Sequence, residues 1–429
     1  MSTTKYQPKT PPDLRIPPST HTVDVSIINT TSTIRGAKTT DFFGPHIKGH
    51  DWLAAPVFSF LIQHHGPDGT RTLLFDLGIR KDWWNSAPAL VDHLRSINPP
   101  WTLDTKKSVL EILNDANNIE ISTIEAIIWS HHHFDHTGDA STFPPSTALI
   151  VGPGVTKTLL PGYPDNPNST LLKSDYANRT LIELDFTSTS PSNPKHSFPT
   201  LQISNLPAID YFADGSFYLH TPGHAIGHIC GLARVTADTN DKDSFILLAG
   251  DAFHHPGELR PSDWLTIPDT LNERYEAVNA SKCPPKDQST STYIDGHLFA
   301  RLLPQAVLGE GECKGKGDGC LGLGTFYAPS GSCACHTGTL EKRCAANVEG
   351  GEEEEVTAKW HHDPNEAART LHKLQEFDAQ DNIFVMAAHD ESLLDVVDFF
   401  PARLNGLLGR DGRIRRGVGF WLILWMGWK

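Results

Sequence analysis

The segment Ser130–His136, with the sequence SHHHFDH, places four histidines and one aspartate within seven residues. Histidine is the commonest metal ligand, and imidazole together with carboxylate suits zinc and similar divalent ions. The apolar stretch Ile124–Trp129 precedes this segment and predicts a strand that feeds a tight loop. Alternate residues of a strand end point the same way, so His131 and His133 can meet one cation. A kink at Asp135–His136 would turn those two side chains towards a second cation.

Three further potential ligands each follow a stretch that predicts a strand, and these are His224, Asp251 and His389. The strand ends of a rigid sheet can hold ligand side chains in place. We expect His224 to complete the first cation's set, Asp251 to bridge both cations and His389 to complete the second set. A histidine-rich surface loop is the alternative, but it does not explain the three partners. Because residues alternate along a strand, His132 should point away from the cations.

The elements that must position these residues alternate between apolar stretches of strand length and longer helical patterns. The predicted helices include Asp82–Ser96 and Asp104–Asn117, the second with Asp104 as its cap. A late helix is predicted to begin at Asp363, with Pro364 at the first helical position. This mixture predicts a layered α/β or α+β enzyme.

Charge and composition limit the kinds of binding partner and the location that the sequence predicts. The formal net charge of −15 disfavours binding to nucleic acids. Met1–Thr20 is polar and proline-rich, without the apolar stretch of a secretory signal, which predicts a cytoplasmic protein. The apolar stretch Val418–Trp428 is too short to span a bilayer as a helix. We expect a small-molecule substrate, no nucleic-acid partner and no membrane span, whereas the sequence leaves the oligomeric state open.

The predicted organisation has five parts. Between Gly309 and Lys359 glycine, lysine and glutamate dominate, which predicts an inserted surface loop. Five cysteines between Cys313 and Cys344 lack the two-residue spacing of a structural zinc site. The insertion is therefore predicted to be disordered or an artefact of the gene model, with a small zinc module as the less favoured alternative. For the apolar tail, the alternatives are packing onto the sandwich, a weak membrane anchor or an artefact. The parts are a disordered tail (1–21), the core (22–308), the insertion (309–358), the completion of the core (359–400) and a C-terminal tail (401–429).

These motifs together resemble the metallo-β-lactamase superfamily, from about Thr22 to Pro401, with Leu74–Gly78 similar to the family's early strand–turn motif. The resemblance implies a four-layer αβ/βα sandwich with two Zn²⁺ ions per chain at the sandwich edge. It also implies that Asp76 orients the histidine loop. The implied metal ligands are His131, His133 and His224 for one ion, Asp135, His136 and His389 for the other, and Asp251 as the bridge.

Two positions discriminate among branches of this superfamily. His133 stands where the di-iron oxygen reductases have glutamate, which favours hydrolysis. Asp251 stands where many true β-lactamases have cysteine, which favours the lactonase and glyoxalase II branches. Sequence segments such as Ser130–Asp139 and Pro161–Pro164 most resemble those of lactonase-like proteins of fungi. The C-terminal glutathione-binding elements of glyoxalase II are not found in this sequence.

We therefore predict a dinuclear zinc hydrolase that opens a lactone, a lactam or a related carbamate, in xenobiotic detoxification or secondary metabolism. A water shared by the two ions, with its pKa lowered towards about 7, would provide the attacking hydroxide. Asp135 would carry the proton to the leaving group. His254 lies three residues after Asp251, where similar bacterial lactonases have tyrosine. Either His254 protonates the leaving group or it packs beside the site, and Tyr211 and Tyr218 are alternative donors or core residues.

Other functions are compatible with the same motifs. An acyl-thioester hydrolase would use the same attack, and a panel of lactones, lactams and thioesters would separate the two. A non-catalytic metal-binding protein would contain metal without esterase turnover. The acidic balance disfavours a nuclease of this fold, and metal analysis would distinguish an iron-dependent persulfide oxygenase from a zinc enzyme.

Overall fold

The computed structural model describes residues 8–42, 51–187, 198–212, 215–237, 243–260, 262–265, 360–395 and 397–406. Two β-sheets pack face to face within these ranges. The predicted insertion (309–358), its cysteine cluster and the apolar tail lie outside the described residues.

The first sheet has seven strands, in the order β4-β1-β2-β3-β5-β6-β7. Strands β1 to β4 pair in antiparallel fashion, whereas β3, β5, β6 and β7 are parallel neighbours. Ile128 faces the second sheet and Ile127 faces the opposite side, so both faces of β5 are buried and four of its five residues are apolar. The strands are β1 (Val23–Lys38), β2 (Trp52–Gly66), β3 (Gly69–Phe75), β4 (Thr102–Thr105), β5 (Ile124–Ile128), β6 (Ala148–Val151) and β7 (Leu181–Glu183).

The second sheet has six strands, in the order β13-β12-β11-β10-β9-β8. All neighbours are antiparallel except β12 and β13. In β12, Ile246 and Leu248 face the first sheet, whereas Phe245 and Leu247 face outwards. The strands are β8 (Thr200–Ile203), β9 (Leu206–Asp210), β10 (Phe217–His220), β11 (Ile229–Thr236), β12 (Ser244–Leu248) and β13 (Ile383–Met386).

Helices cover the outer faces of both sheets. Val109 and Leu113 of one helix pack on the first sheet, and Leu374 and Phe377 of another pack on the second. The layers are therefore helix, sheet, sheet and helix, which confirms the predicted sandwich. Within the described ranges, no helix has the length and apolar character needed to cross a bilayer. The helices are α1 (Pro88–Ser96), α2 (Val109–Ala116), α3 (Phe134–Thr137), α4 (Val155–Leu159), α5 (Lys173–Tyr176) and α6 (Pro364–Asp378).

Helix starts follow local capping chemistry. The predicted cap Asp363 accepts a hydrogen bond from the backbone N–H of Glu366, as expected. The predicted cap Asp104 is wrong, because it lies in β4. The cap of α2 is Ser108, whose hydroxyl accepts from Glu111 N–H while the Glu111 carboxylate accepts from Ser108 N–H. The Ser-x-x-Glu spacing of a capping box carried this signal in the sequence.

The core extends beyond the predicted boundaries at both ends. We expected 1–21 to be a disordered tail, but Leu14 is buried in the apolar cluster on the outer face of the second sheet. Arg234 Nη2 also donates to the Pro17 carbonyl over 2.5 Å. At the other end, Asn405 donates to the Val23 carbonyl over 2.8 Å, although 401–429 was predicted as a separate tail. Single residues of the two terminal segments thus pack on, or hydrogen-bond to, strands that are far away in the sequence.

Candidate metal centre

The candidate ligands lie at one edge of the sandwich, on the segments that follow β5, β10, β12 and β13, and Asp135 and His136 belong to the short helix α3. Backbone hydrogen bonds join these loops to one another. Ile229 N–H donates to the Ser130 carbonyl over 2.9 Å, and Ala388 N–H donates to the Gly250 carbonyl over 3.0 Å. Loops from both sheets are therefore held in one frame, which limits how far their side chains can move apart.

The first group consists of His131, His133, His224 and Asp251. His133 Nδ1 lies 2.9 Å from His131 Nε2 and 3.0 Å from His224 Nε2, and the last two atoms are 3.2 Å apart. Burial lowers the pKa of all three imidazoles, that of His133 to about 3. The three rings are therefore neutral near pH 7, the form that binds metals.

The second group consists of Asp135, His136, His389 and Asp251. His389 Nε2 lies 3.2 Å from Asp135 Oδ2, and His136 Nε2 lies 3.8 Å from the same oxygen. Burial alone would lower the pKa of both histidines, but Asp251 and the other nearby carboxylates outweigh it and raise that of His389 to about 10. His136 Nε2 is buried and has no hydrogen-bond partner in the part of the chain that the structure describes.

Asp251 lies between the two groups. Its Oδ2 is 3.5 Å from His224 Nε2 and 3.8 Å from His131 Nε2 in the first group. Its Oδ1 is 3.1 Å from His136 Nε2 and 3.2 Å from His389 Nε2 in the second group. Each oxygen of the Asp251 carboxylate thus faces the imidazoles of a different group. We call the seven residues the His–Asp cluster, namely His131, His133, Asp135, His136, His224, Asp251 and His389.

The nitrogen positions of the first group fit a metal ion. His131 Nδ1 lies 3.0 Å from Ser130 Oγ, and His224 Nδ1 lies 3.3 Å from His361 Nδ1, so both rings have hydrogen-bond partners outside the cluster. The two Nε2 lone pairs then face each other over 3.2 Å and repel unless a cation lies between them. Tetrahedral zinc, with bonds of about 2.0–2.1 Å, separates its ligand atoms by roughly 3.3 Å. The cluster therefore has both the spacing and the donor chemistry for zinc.

Asp76 contacts the histidine loop, as the resemblance implied. Its Oδ1 accepts from Ser130 N–H over 2.6 Å, and its Oδ2 accepts from Ser130 Oγ over 2.7 Å. His136 Nδ1 lies 2.8 Å from the same Oδ2. Because its Nδ1 is held by a carboxylate, His136 presents Nε2 to the cluster.

Sequence reasoning missed His228. Its Nε2 accepts a hydrogen bond from Asp251 N–H over 3.1 Å, and its Nδ1 lies 3.0 Å from the Thr221 carbonyl. Burial lowers the pKa of His228 to about 3, so the ring is neutral and can accept at one nitrogen while it donates at the other. His228 thereby ties the loop that carries Asp251 to the loop that carries His224. Its position beside a predicted strand start offered a weak signal.

The structure places the His254 side chain in contact with Asp251. Its Nε2 lies 3.4 Å from Asp251 Oδ2, and its side chain is fully buried. Among the described residues, neither ring nitrogen of His254 has a hydrogen-bond partner. The alternative donors are in the core, where the Tyr211 hydroxyl donates to Glu125 over 2.9 Å and Tyr218 is buried between the sheets. His132 belongs to neither metal-binding group among the described residues.

A cavity of about 210 Å³ lies beside the His–Asp cluster. His133, Asp135, His224, Asp251 and His389 line one side of it, whereas His254 is not among the lining residues. The rest of the lining consists mainly of apolar side chains, and we call six of them the apolar wall. They are Phe42, Leu53, Leu90, Leu94, Trp101 and Trp360.

Comparison with known families gives a match over residues 53–281 to the Metallo-beta-lactamase superfamily. Among curated proteins, the chain is 35% identical to a metallo-hydrolase, mfmC, of Annulohypoxylon moriforme, over 95% of this chain and 88% of the relative. It is also 35% identical to a gamma-lactamase, FDB1, of Fusarium pseudograminearum, over 96% of this chain and 84% of the relative.

A solved structure described as a quorum-quenching N-acyl homoserine lactone lactonase is also similar. It has 14% sequence identity and a TM-score of 0.45, and the match covers 91% of this chain and 100% of that chain.

Proposed function

The chain belongs to the metallo-beta-lactamase superfamily and is a hydrolase, and on this premise we propose that it opens a cyclic amide or cyclic ester with two zinc ions. The position of Asp251 carries the proposal, because its two oxygens face two separate groups of imidazoles beside a cavity. The relative named as a gamma-lactamase supports a cyclic amide as substrate. Cyclic esters are included because the same attack at a carbonyl opens them.

The donor set supports zinc as the bound metal. Five imidazoles and two carboxylates suit a borderline divalent cation better than magnesium or calcium, which prefer oxygen ligands. When bound, such ions supply Lewis acidity and lower the pKa of a coordinated water. We assign His131, His133 and His224 to one ion, Asp135, His136 and His389 to the other, and Asp251 to both.

Asp135 is the proposed proton carrier. It lines the cavity, and its Oδ2 lies 3.2 Å from His389 Nε2. Interaction with His136 and His389 offsets the effect of burial and holds the pKa of Asp135 below its usual value, so the carboxylate is ionised and can accept a proton. It would take the proton of the attacking water and release it to the leaving nitrogen or oxygen as the ring opens.

His254 remains a predicted proton donor to the leaving group. Its position favours a different contribution, since its side chain contacts Asp251 and does not line the cavity. A His254→Gln variant would separate the two roles. A donor would be needed more for a lactam, whose nitrogen leaves poorly, than for an ester with an acidic alcohol. Equal losses on both substrates would assign His254 to the support of Asp251.

Zinc content and a substrate panel test the proposed function. We expect two zinc ions per chain, and faster hydrolysis of lactams and lactones than of acyl thioesters. In His133→Ala both the first ion and turnover should be lost. His65→Ala is the matched control, because His65 is exposed near the far end of β2 and pairs with Asp24.

Three results would contradict the proposal. Absence of zinc from the purified protein would contradict the proposed metal site. Undiminished turnover in His133→Ala would contradict the role of that site in catalysis. Preference for thioesters would assign the enzyme to the alternative substrate class. A role in detoxification or secondary metabolism, and the cytoplasmic location, stay predictions from the sequence.

A further inference from the structure

Ring orientation in the His–Asp cluster depends on what holds the outer nitrogen of each imidazole. Outer partners hold three of the histidines that present Nε2 to the cluster. His131 Nδ1 lies 3.0 Å from Ser130 Oγ, His136 Nδ1 lies 2.8 Å from Asp76 Oδ2, and His389 Nδ1 lies 2.9 Å from the Pro56 carbonyl. A hydrogen bond at one ring nitrogen sets the tautomer and leaves the other nitrogen free for a metal.

The fourth histidine of this kind, His224, has another histidine as its outer partner. His224 Nδ1 lies 3.3 Å from His361 Nδ1. On its other side, His361 Nε2 lies 3.2 Å from the Phe42 carbonyl oxygen. Because a carbonyl can only accept, His361 carries its proton on Nε2, and its Nδ1 accepts from His224. A continuous chain of hydrogen bonds therefore runs from His224 Nδ1 through the His361 ring to the Phe42 carbonyl.

The segment that carries His361 is anchored on the loop of His224. His362 N–H donates to the His224 carbonyl over 2.9 Å, and Asp363 N–H donates to the Gly223 carbonyl over 2.8 Å. Gly223 has a φ of +125°, and a Cβ at this position would lie 2.1 Å from Ala367 N. Only glycine therefore permits the start of α6 to lie so close. His361 itself is only 7% exposed.

We propose that His361 is a positioning residue, which orients His224 so that its Nε2 faces the metal. This inference rests on the proposed metal function. His361 lies 137 residues after His224 in sequence, on the segment that completes the core. It acts through His224 and does not touch the reacting atoms.

A site for a third cation is the competing explanation for the position of His361 beside His224. His224, His254 and His361 have ring nitrogens within 4.8 Å of one another, close enough to share an ion. Such an ion would have to displace the ring proton of His224, whose other nitrogen already faces the first group. The hydrogen-bonded arrangement requires no such step. Zinc stoichiometry separates the two, since positioning predicts two ions per chain and the alternative predicts three.

The experiment measures zinc affinity by competition with a chromophoric chelator, in the full chain and three variants. His361→Leu removes the acceptor, His361→Gln can keep both an acceptor and a donor, and His362→Ala changes the exposed neighbour. Loss of an outer partner typically lowers metal affinity by roughly 10–100-fold. We expect such a loss for His361→Leu, substantial recovery in His361→Gln and wild-type affinity in His362→Ala. Thermal unfolding of the zinc-free proteins checks that each variant folds.

Wild-type zinc affinity in folded His361→Leu would overturn the positioning role, as would three ions per chain in the wild type. If His361→Leu does not fold, nitrogen NMR of histidine-labelled, zinc-loaded wild type decides. Protonation of His361 at Nε2 and of His224 at Nδ1 supports the role, and the opposite tautomer of His361 overturns it. A wild-type chain that binds no zinc would overturn the proposed function itself, whereas zinc binding that is indifferent to His361 overturns only this inference.

Discussion

The His–Asp cluster and the apolar wall both contribute to the lining of one cavity but are held in place differently. Each cluster residue follows a strand, and hydrogen bonds fix rings such as those of His136 and His389. The wall residues come from other elements, and its three aromatic members contact one another, for example by the stacking of Phe42 on Trp360 at 6.0 Å between ring centroids. Polar, directional contacts define the chemistry, whereas apolar contacts define a shape.

This difference has a functional consequence. A change in the cluster should alter metal content and turnover for every substrate, because all of them need the same attack. A change in the wall should alter the relative rates of different substrates and leave the metals in place. The variants below test this division, from the largest expected effect to the smallest.

Asp251→Ala should break the cluster most completely, since it removes the carboxylate that faces both groups. We expect loss of bound zinc and a fall in turnover of at least about 10³-fold, because one electrostatic contact alone is worth roughly 10²–10³ in kcat. Elemental analysis and initial rates on one lactone and one lactam would measure this. Asp68→Ala, in the exposed turn between β2 and β3, is the control. Two retained zinc ions would contradict the bridging assignment.

Asp76→Ala should weaken the cluster without removing a member of it. The variant frees His136 Nδ1 and the backbone N–H of Ser130, so the ring loses its preferred orientation. We expect zinc affinity to fall roughly 10–100-fold, with the second ion lost before the first. A chelator titration with two phases would record the order of release. Release of both ions as in the wild type would show that Asp76 does not support the second group.

Trp360→Ala should alter the wall and leave the cluster intact. We expect kcat/KM for a lactone with a large apolar substituent to fall about 10-fold relative to an unsubstituted ring, because one lost apolar contact costs roughly 1–3 kcal/mol. Zinc content should stay at the wild-type value. Trp84→Ala is the matched control, since Trp84 is 55% exposed and lies outside the lining of the cavity. Equal losses on both lactones would contradict the division between chemistry and shape.

Asp175→Asn should affect neither region, only stability. Burial, together with the nearby Asp139 carboxylate, raises the pKa of Asp175 from 3.8 to about 7. A raised pKa means that the carboxyl stabilises the fold when protonated, and this contribution is lost as pH rises from about 4 through about 7. The variant cannot ionise, so its free energy of unfolding should rise relative to wild type between pH 5 and pH 8, by on the order of 1 kcal/mol. Denaturant unfolding at both pH values measures this difference, and a pH-independent difference would contradict it.

All seven members of the His–Asp cluster, and Asp76, could be named from the sequence. The spacing of His131, His133, Asp135 and His136 is itself the signal, because ligands on one loop must occur at fixed intervals. Each remaining member follows an apolar stretch that marks a strand end, as His389 follows β13. Local patterns of this kind also indicated a layered α/β or α+β fold and the start of α6, whereas the four-layer order came from the family resemblance.

Only the tertiary structure decided which residues surround the cluster. Nothing local distinguishes His361 from the exposed His362, since its role depends on the packing of α6 against a loop 137 residues earlier. The wall residues are equally ordinary in sequence, because apolar side chains carry no mark of which cavity they will line. Sequence therefore determined the chemistry of this protein, since that chemistry requires particular residue types at fixed spacings. Tertiary packing decided the orientation of the ligands and the shape of the cavity, since non-directional contacts between distant elements leave no pattern along the chain.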